Sequence, residues 1–162
     1  MTKDFTLATL LLLAGAAVLL AGCRSEPPAK WETVIMTRVK HSVTVGDREQ
    51  KNPLKDTPEN RQLGRQSFSH YCVACHGLDG QNTGVPFASA MSPPVPSLAS
   101  SAVQSYTDGQ LNWVVTAGLR PSGMPASKGI LTDEEIWSIV LYLRHLPPAG
   151  SVGEPAMYRD AN

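Results

Sequence analysis

The sequence predicts an all-α domain of about three to four helices, and three observations predict it. Threonines stand as N-caps before three stretches, Thr57-Pro58-Glu59, Thr107-Asp108-Gly109-Gln110 and Thr132-Asp133-Glu134-Glu135. Ile136, Ile139, Val140 and Leu143 recur at i, i+3, i+4 and i+7, so the last stretch buries one helical face. Directly after the first stretch comes Cys72-Val73-Ala74-Cys75-His76, two thiols two residues apart with an imidazole next. That is the c-type haem attachment pattern, in which both sulfurs join the porphyrin vinyl groups as thioethers and a ring nitrogen of His76 binds the iron. One covalently held haem c then serves as the apolar core around which the helices wrap.

Other uses of a C-x-x-C pair fit less well. A redox dithiol needs a βαβ pattern and a zinc site needs a second ligand pair, and the remaining cysteine, Cys23, lies 49 residues upstream in a different kind of segment. Haem attachment also implies export, because bacteria attach this haem outside the cytoplasm. The N-terminus agrees. Lys3 precedes an apolar run from Leu7 to Leu20, and Leu20-Ala21-Gly22-Cys23 resembles a bacterial lipoprotein box. The run from Phe5 to Gly22 is 18 residues with two threonines, short for a bilayer span, which favours cleavage before Cys23 and lipidation of Cys23 over an uncleaved helix. The expected site is the periplasmic or extracytoplasmic face of a bacterial membrane, and every cysteine then has a use without a disulfide.

Four segments follow: a signal peptide over 1–22, a membrane-proximal spacer or arm over 23–56, a haem domain over 57–147 and an extended tail over 148–162. Fourteen basic and fourteen acidic residues cancel, so charge gives no sign of a nucleic-acid partner. The arm has prolines and polar residues at both ends, with alternation through Val39, His41, Val43 and Val45 that predicts a short strand ending at Gly46-Asp47.

Helices are taken in chain order. Pro58 suits the first position of a helix that runs to about Tyr71, and Gly64 stands four before Phe68, where a second backbone could approach. Residues 77–105 are rich in Gly, Pro and Ser and lack periodicity, a length that makes sense where a loop wraps a haem and buries Val85, Phe87, Val95 and Leu98 against it. A backbone carbonyl of such a loop can accept the free N–H of the ligating imidazole. The next helix presents Leu111, Val114 and Val115, ends at Gly118 in an expected left-handed cap, and carries Trp113, either packed or reaching a haem propionate.

Leu119-Arg120-Pro121-Ser122-Gly123-Met124-Pro125 then presents a methionine in a rigid turn 48 residues after His76. Met124 is the leading sixth iron ligand, with Met91 before Ser92-Pro93-Pro94 as its rival, and Arg120 is either a propionate partner or a solvated loop charge. The closing helix has Leu131 and Ile136 as a hydrophobic staple and meets Pro147-Pro148 as its stop. The tail beyond reads as a strap or a loose end.

Together, the opening helix with Gly64 and Phe68, the Cys72–His76 site, the Pro-rich loop, the Gly123-Met124-Pro125 turn and the closing helix with Tyr142 resemble the class I monohaem cytochrome c family over Thr57 to about Pro147. The resemblance implies a cytochrome c-like fold, with Gly64 and Phe68 crossing the final helix at Ile139 and Tyr142. It also implies that Pro96 gives its carbonyl to His76 and that Leu98 packs on the haem. The lysine ring by which mitochondrial-type members dock is missing, since 57–147 holds only Lys128.

His76 and Met124 together would fill both axial positions, so the expected function is one-electron transfer by a membrane-tethered carrier, or by the haem subunit of a respiratory or dehydrogenase complex. Its partners are then the membrane, through Cys23, and redox proteins whose identity as donor and acceptor the sequence does not give. It would not itself be an enzyme. A peroxidase-like enzyme or a gas-sensing module would need an open iron site.

Overall fold

The computed structural model describes residues 45–119 and 122–159. Among the described residues six helical segments follow one another: α1 Pro58–Tyr71, α2 Val73–His76, α3 Ser101–Gln104, α4 Asp108–Ala117, α5 Asp133–Leu143 and α6 Ala156–Arg159. Among the described residues there is no strand, only two isolated bridges, Leu119 with Met124 and Lys128 with Leu131. The all-α expectation holds.

The caps behave as their chemistry requires. Thr57 accepts from the Asn60 N–H, and Thr107 with Gln110 and Thr132 with Glu135 form complete capping boxes, each satisfying donors that the first helical turn cannot. Burial fills the closing helix more fully than its stripe predicts: Ile136 to Leu143 are all buried, because α5 is covered on one side by α1 and on another by α4.

The α1–α5 crossing is the centre of the fold. A Cβ on Gly64 would lie 1.9 Å from the Ser138 carbonyl oxygen and 2.5 Å from its carbon, so only glycine permits the two backbones this separation. One turn on, Phe68 meets Tyr142 with ring centroids 5.3 Å apart and planes tilted by 55°. Phe68, Val115, Leu131, Ile136, Ile139, Tyr142 and Leu143 form one buried cluster. A second, of Leu111, Trp137 and Val140, seals α4 on α5.

Several expectations are corrected. Gly118 has the positive φ expected, 69°, but ψ is 179°, an extended exit in place of a left-handed helical one, while its N–H still closes the helix on Val114. The closing helix stops at Leu143, with Arg144 as C-cap, before Pro147 is reached. The Arg144 guanidinium holds that end in place: it pairs with Asp108 at 2.9 Å and donates to the carbonyls of Gln104 at 3.0 Å and Tyr106 at 2.6 Å, clamping α3 and the start of α4 to the end of α5. α3 itself, capped by Ser100, interrupts a loop expected to be irregular throughout. Of the strand expected over 39–45, only Val45 is described; it is buried and not in a strand. Cys23 and the leader also lie outside the described residues.

Both flanking segments lie on this core. The arm 45–56 passes so close to α4 that a Cβ on Gly109 would fall 2.0 Å from the Asp47 carbonyl oxygen. Thr107 donates to the Arg48 carbonyl at 2.9 Å and Asn52 to the Trp137 carbonyl at 3.0 Å, while Trp113 covers Gly46. The tail returns to the loop after α2, where its contacts bear on the site.

Candidate haem site

α1 delivers the attachment motif without a connecting loop. The Cys72 N–H still bonds to the Phe68 carbonyl at 2.9 Å as C-cap, and the His76 N–H bonds to the Cys72 carbonyl at 3.0 Å. The motif therefore turns as a single α-type step, with Cys72 against the main cluster and Cys75 and His76 half-buried beside it. Gly77, at φ 72°, ends α2 and turns the chain into the Pro-rich loop.

That loop is held by its own polar groups. The Asn82 N–H bonds to the His76 carbonyl at 2.8 Å, Asn82 Nδ2 to the Val95 carbonyl at 2.8 Å, and the Leu98 N–H to the Gly80 carbonyl at 2.8 Å. Asp79, wholly shielded from solvent, gathers the rest: it accepts from the Gln81 N–H at 2.8 Å, the Thr83 hydroxyl at 2.5 Å and the Gly150 N–H at 2.8 Å. Burial alone would raise its pKa; the bonds from Gly150, Thr83 and Gln81 outweigh it and hold the carboxyl below its ordinary value. In the sequence Asp79 stands only in an Asp-Gly dipeptide, which marks a turn and not a buried acceptor.

Burial lowers the pKa of His76 to about 4, against an opposing influence of the Pro96 carbonyl. The ring is thus neutral at neutral pH, as a metal ligand must be. Nδ1 is buried without a hydrogen bond of regular geometry, so Pro96 acts on the ring from a less than ideal position. Burial, and secondarily the neighbouring Cys75, pushes the free Cys72 thiol up to about 12.

The methionine turn is equally local in origin. The Leu119 N–H bonds to the Met124 carbonyl at 3.0 Å, the Ser122 N–H to the Leu119 carbonyl at 2.9 Å, and Gly123 takes φ 75°. Met124, Leu98 and Cys72 all pack on the same cluster, so residues far apart in sequence converge where a porphyrin would need apolar walls. Met91 is close as well: its methyl carbon lies 3.7 Å from the point where a Cβ on Gly123 would stand. Arg120 lies outside the described residues. Phe87 departs from expectation: it is 38% exposed and its ring meets Tyr158 edge-on, centroids 6.1 Å apart.

These residues fit a covalently attached haem. Two unpaired cysteines, a neutral imidazole and a thioether on a separate rigid turn suit a haem held by two thioethers and two axial ligands, and among the described residues no three His, Cys, Asp or Glu side chains come together to hold a metal ion instead.

Comparison with known proteins finds two partial relatives and one family. The chain is 30% identical over 91 residues to the quinohemoprotein alcohol dehydrogenase ADH IIB of Pseudomonas putida, a match spanning 56% of this chain and only 12% of that protein. A chain of the Kuenenia stuttgartiensis reducing HAO-like protein complex superposes with a TM-score of 0.48 at 22% identity, over 57% of this chain and 46% of that one. The family described as “Cytochrome C oxidase, cbb3-type, subunit III” matches residues 59–143, which run from the first turn of α1 to the end of α5 and include every described haem-site residue. With more than half of its length matched, this chain belongs to that family of class I-like cytochrome c domains, whose haem carries electrons.

Proposed function

We propose that this protein is a membrane-tethered one-electron carrier whose single haem c is attached through Cys72 and Cys75 and bound axially by His76 and Met124. The observation that carries the reading is the convergence of Cys72, Leu98 and Met124 on the cluster between α1 and α5. Bound haem supplies a one-electron iron couple whose potential a thioether ligand raises relative to a second histidine. The protein's part is to hold a neutral imidazole on α2, to fix the thioether on the turn after α4, and to keep water from both. Pro96 and Leu98 fill the supporting roles of imidazole acceptor and haem-face packing.

The anchor is lipid on Cys23 after removal of residues 1–22, at the extracytoplasmic face of a bacterial membrane. The domain proper is 57–147, preceded by the arm and followed by the tail. Residues 45–56 of the arm lie on α4 and α5 and so do not act as spacer. A dehydrogenase is a fitting electron donor, because a relative carries that activity in its name. The donor and acceptor act as protein partners, with the chain as a free carrier or a complex subunit.

Titration of the reduced protein with carbon monoxide tests the ligation, with haem stain on a denaturing gel alongside. Wild type keeps the stain and binds little gas, Met124→Ala keeps the stain and binds it readily, and Met91→Ala behaves as wild type. Ready gas binding by wild type would return the protein to the enzyme or sensor class; stain surviving in the doubly substituted Cys72→Ser, Cys75→Ser form would remove covalent haem.

A further inference from the structure

The family match stops at residue 143, yet the chain beyond it folds back on the attachment motif. Gln81 donates to the Pro147 carbonyl at 2.8 Å, the Gly150 N–H donates to Asp79 at 2.8 Å, and Pro155 is fully buried. Glu154 fills the space over Gly84, where a Cβ would lie 2.4 Å from its Cγ. The tail ends in α6, and there the Tyr158 hydroxyl donates to the Ala74 carbonyl at 2.9 Å.

Ala74 lies between the two attachment cysteines. In a helix as short as α2 the last carbonyls have no intrahelical donor. The Val73 carbonyl is met by Gly77 and that of His76 by Asn82, and the Ala74 carbonyl receives its bond from Tyr158, 84 residues away. The Tyr158 ring also stands edge-on to Phe87, which makes an aromatic wall beside the same loop.

We propose that the segment after α5 is a latch on the haem-attachment loop, with Tyr158 as its positioning residue: it caps α2 between Cys72 and Cys75 and keeps water from the haem edge that the thioethers place there. Four separate contacts along the tail support a latch; a frayed end would show none of them. The latch acts on potential as well as on stability. Water reaching the haem edge stabilises the more highly charged oxidised iron, so a closed latch holds the midpoint potential up. The inference rests on the haem reading above.

The test uses the full-length haem-loaded protein. In Tyr158→Ala the midpoint potential falls, and native-state hydrogen exchange at residues 74–83 speeds up by about fivefold or more, the change in local opening that one net hydrogen bond brings. Tyr158→Phe keeps the wall and loses only the cap, so exchange at 74–83 rises while the potential stays nearer to wild type. It also serves if the alanine variant folds poorly. In both, exchange in α1 and α5 stays as in wild type. An unchanged potential in Tyr158→Ala overturns the proposal, and so does faster exchange shared equally by α1 and α5. Haem stain is read for each protein. Its absence from wild type would tell against haem itself, whereas failure of the latch leaves the stain in place.

Discussion

Two glycines in two helices make the same kind of close approach and serve different ends. Gly64 in α1 and Gly109 in α4 would place a Cβ 1.9 Å and 2.0 Å from a carbonyl oxygen. At Gly64 the oxygen belongs to Ser138, in the middle of α5 and fully buried; at Gly109 it belongs to Asp47, in an exposed arm. The first obstacle is fixed by two helices and their shared cluster. The second can move away. Equal distances therefore do not mean equal cost: the neighbour's freedom to relax decides it.

The largest effect should be at Gly64. Gly64→Ala must push α1 from α5, opening the contact between Phe68 and Tyr142 and the cluster on which Cys72 and Met124 rest. The gain in helix propensity, up to about 1 kcal/mol, is far too small to compensate. A loss of about 3 kcal/mol or more is expected in chemical denaturation, along with a weaker methionine–iron band near the red end of the visible spectrum. A variant as stable as wild type would show that the crossing can slide, and would erase the difference between the two glycines.

Asp79 comes next, because it ties the attachment loop to the tail. Asp79→Asn keeps one neutral oxygen, which can serve either the Gln81 N–H on Oδ1 or the Gly150 N–H and Thr83 hydroxyl that share Oδ2, and turns an amide NH2 toward the remaining donors; about 2–3 kcal/mol should be lost. The pH signature has a definite sign. The folded carboxyl titrates below its ordinary value, so its stabilisation is present above the unfolded carboxylate pKa, about 4, and is lost as pH falls through the folded pKa. The stability difference between wild type and Asp79→Asn should accordingly be constant from neutral pH down to about 5 and shrink below about 4. A difference that persists undiminished under acid would mean that the cost comes from packing and not from charge.

What the sequence disclosed follows the same division between near and far. Capping boxes were legible because cap and partner lie three residues apart, and the attachment motif because its spacing is set by a rigid porphyrin. The periodic stripe marked α5 as buried but not that it is covered on two sides. The partners of Gly64 and Phe68 came only from resemblance. The clamps made by Arg144, Asp79 and Tyr158 were unreadable: Arg144 meets Asp108, Asp79 meets Gly150 and Tyr158 meets Ala74 across 36, 71 and 84 residues, and the turn around Asp79 does not announce its distant partner. Gly109 was read as part of a capping box, while its contact belongs to the arm. Arg120 and Cys23 lie outside the described residues.

The smallest effect should be at Gly109, and it tests the comparison most directly. In Gly109→Ala the new methyl meets Asp47 and Gln50, and the arm can lift as a unit. Two hydrogen bonds would be lost, Thr107 to Arg48 and Asn52 to Trp137, each worth about 1 kcal/mol net. Against this, the released arm regains backbone entropy, itself offset by the lost burial of Val45, and alanine favours the helix by up to about 1 kcal/mol. Global stability should therefore change by no more than about 1 kcal/mol, with the haem spectrum unaltered. Trypsin should nevertheless cut after Arg48 and Lys51 much faster than in wild type. If cleavage were unchanged while stability fell as far as in Gly64→Ala, the arm would be a rigid part of the core, and the relaxation argument would fail for this pair.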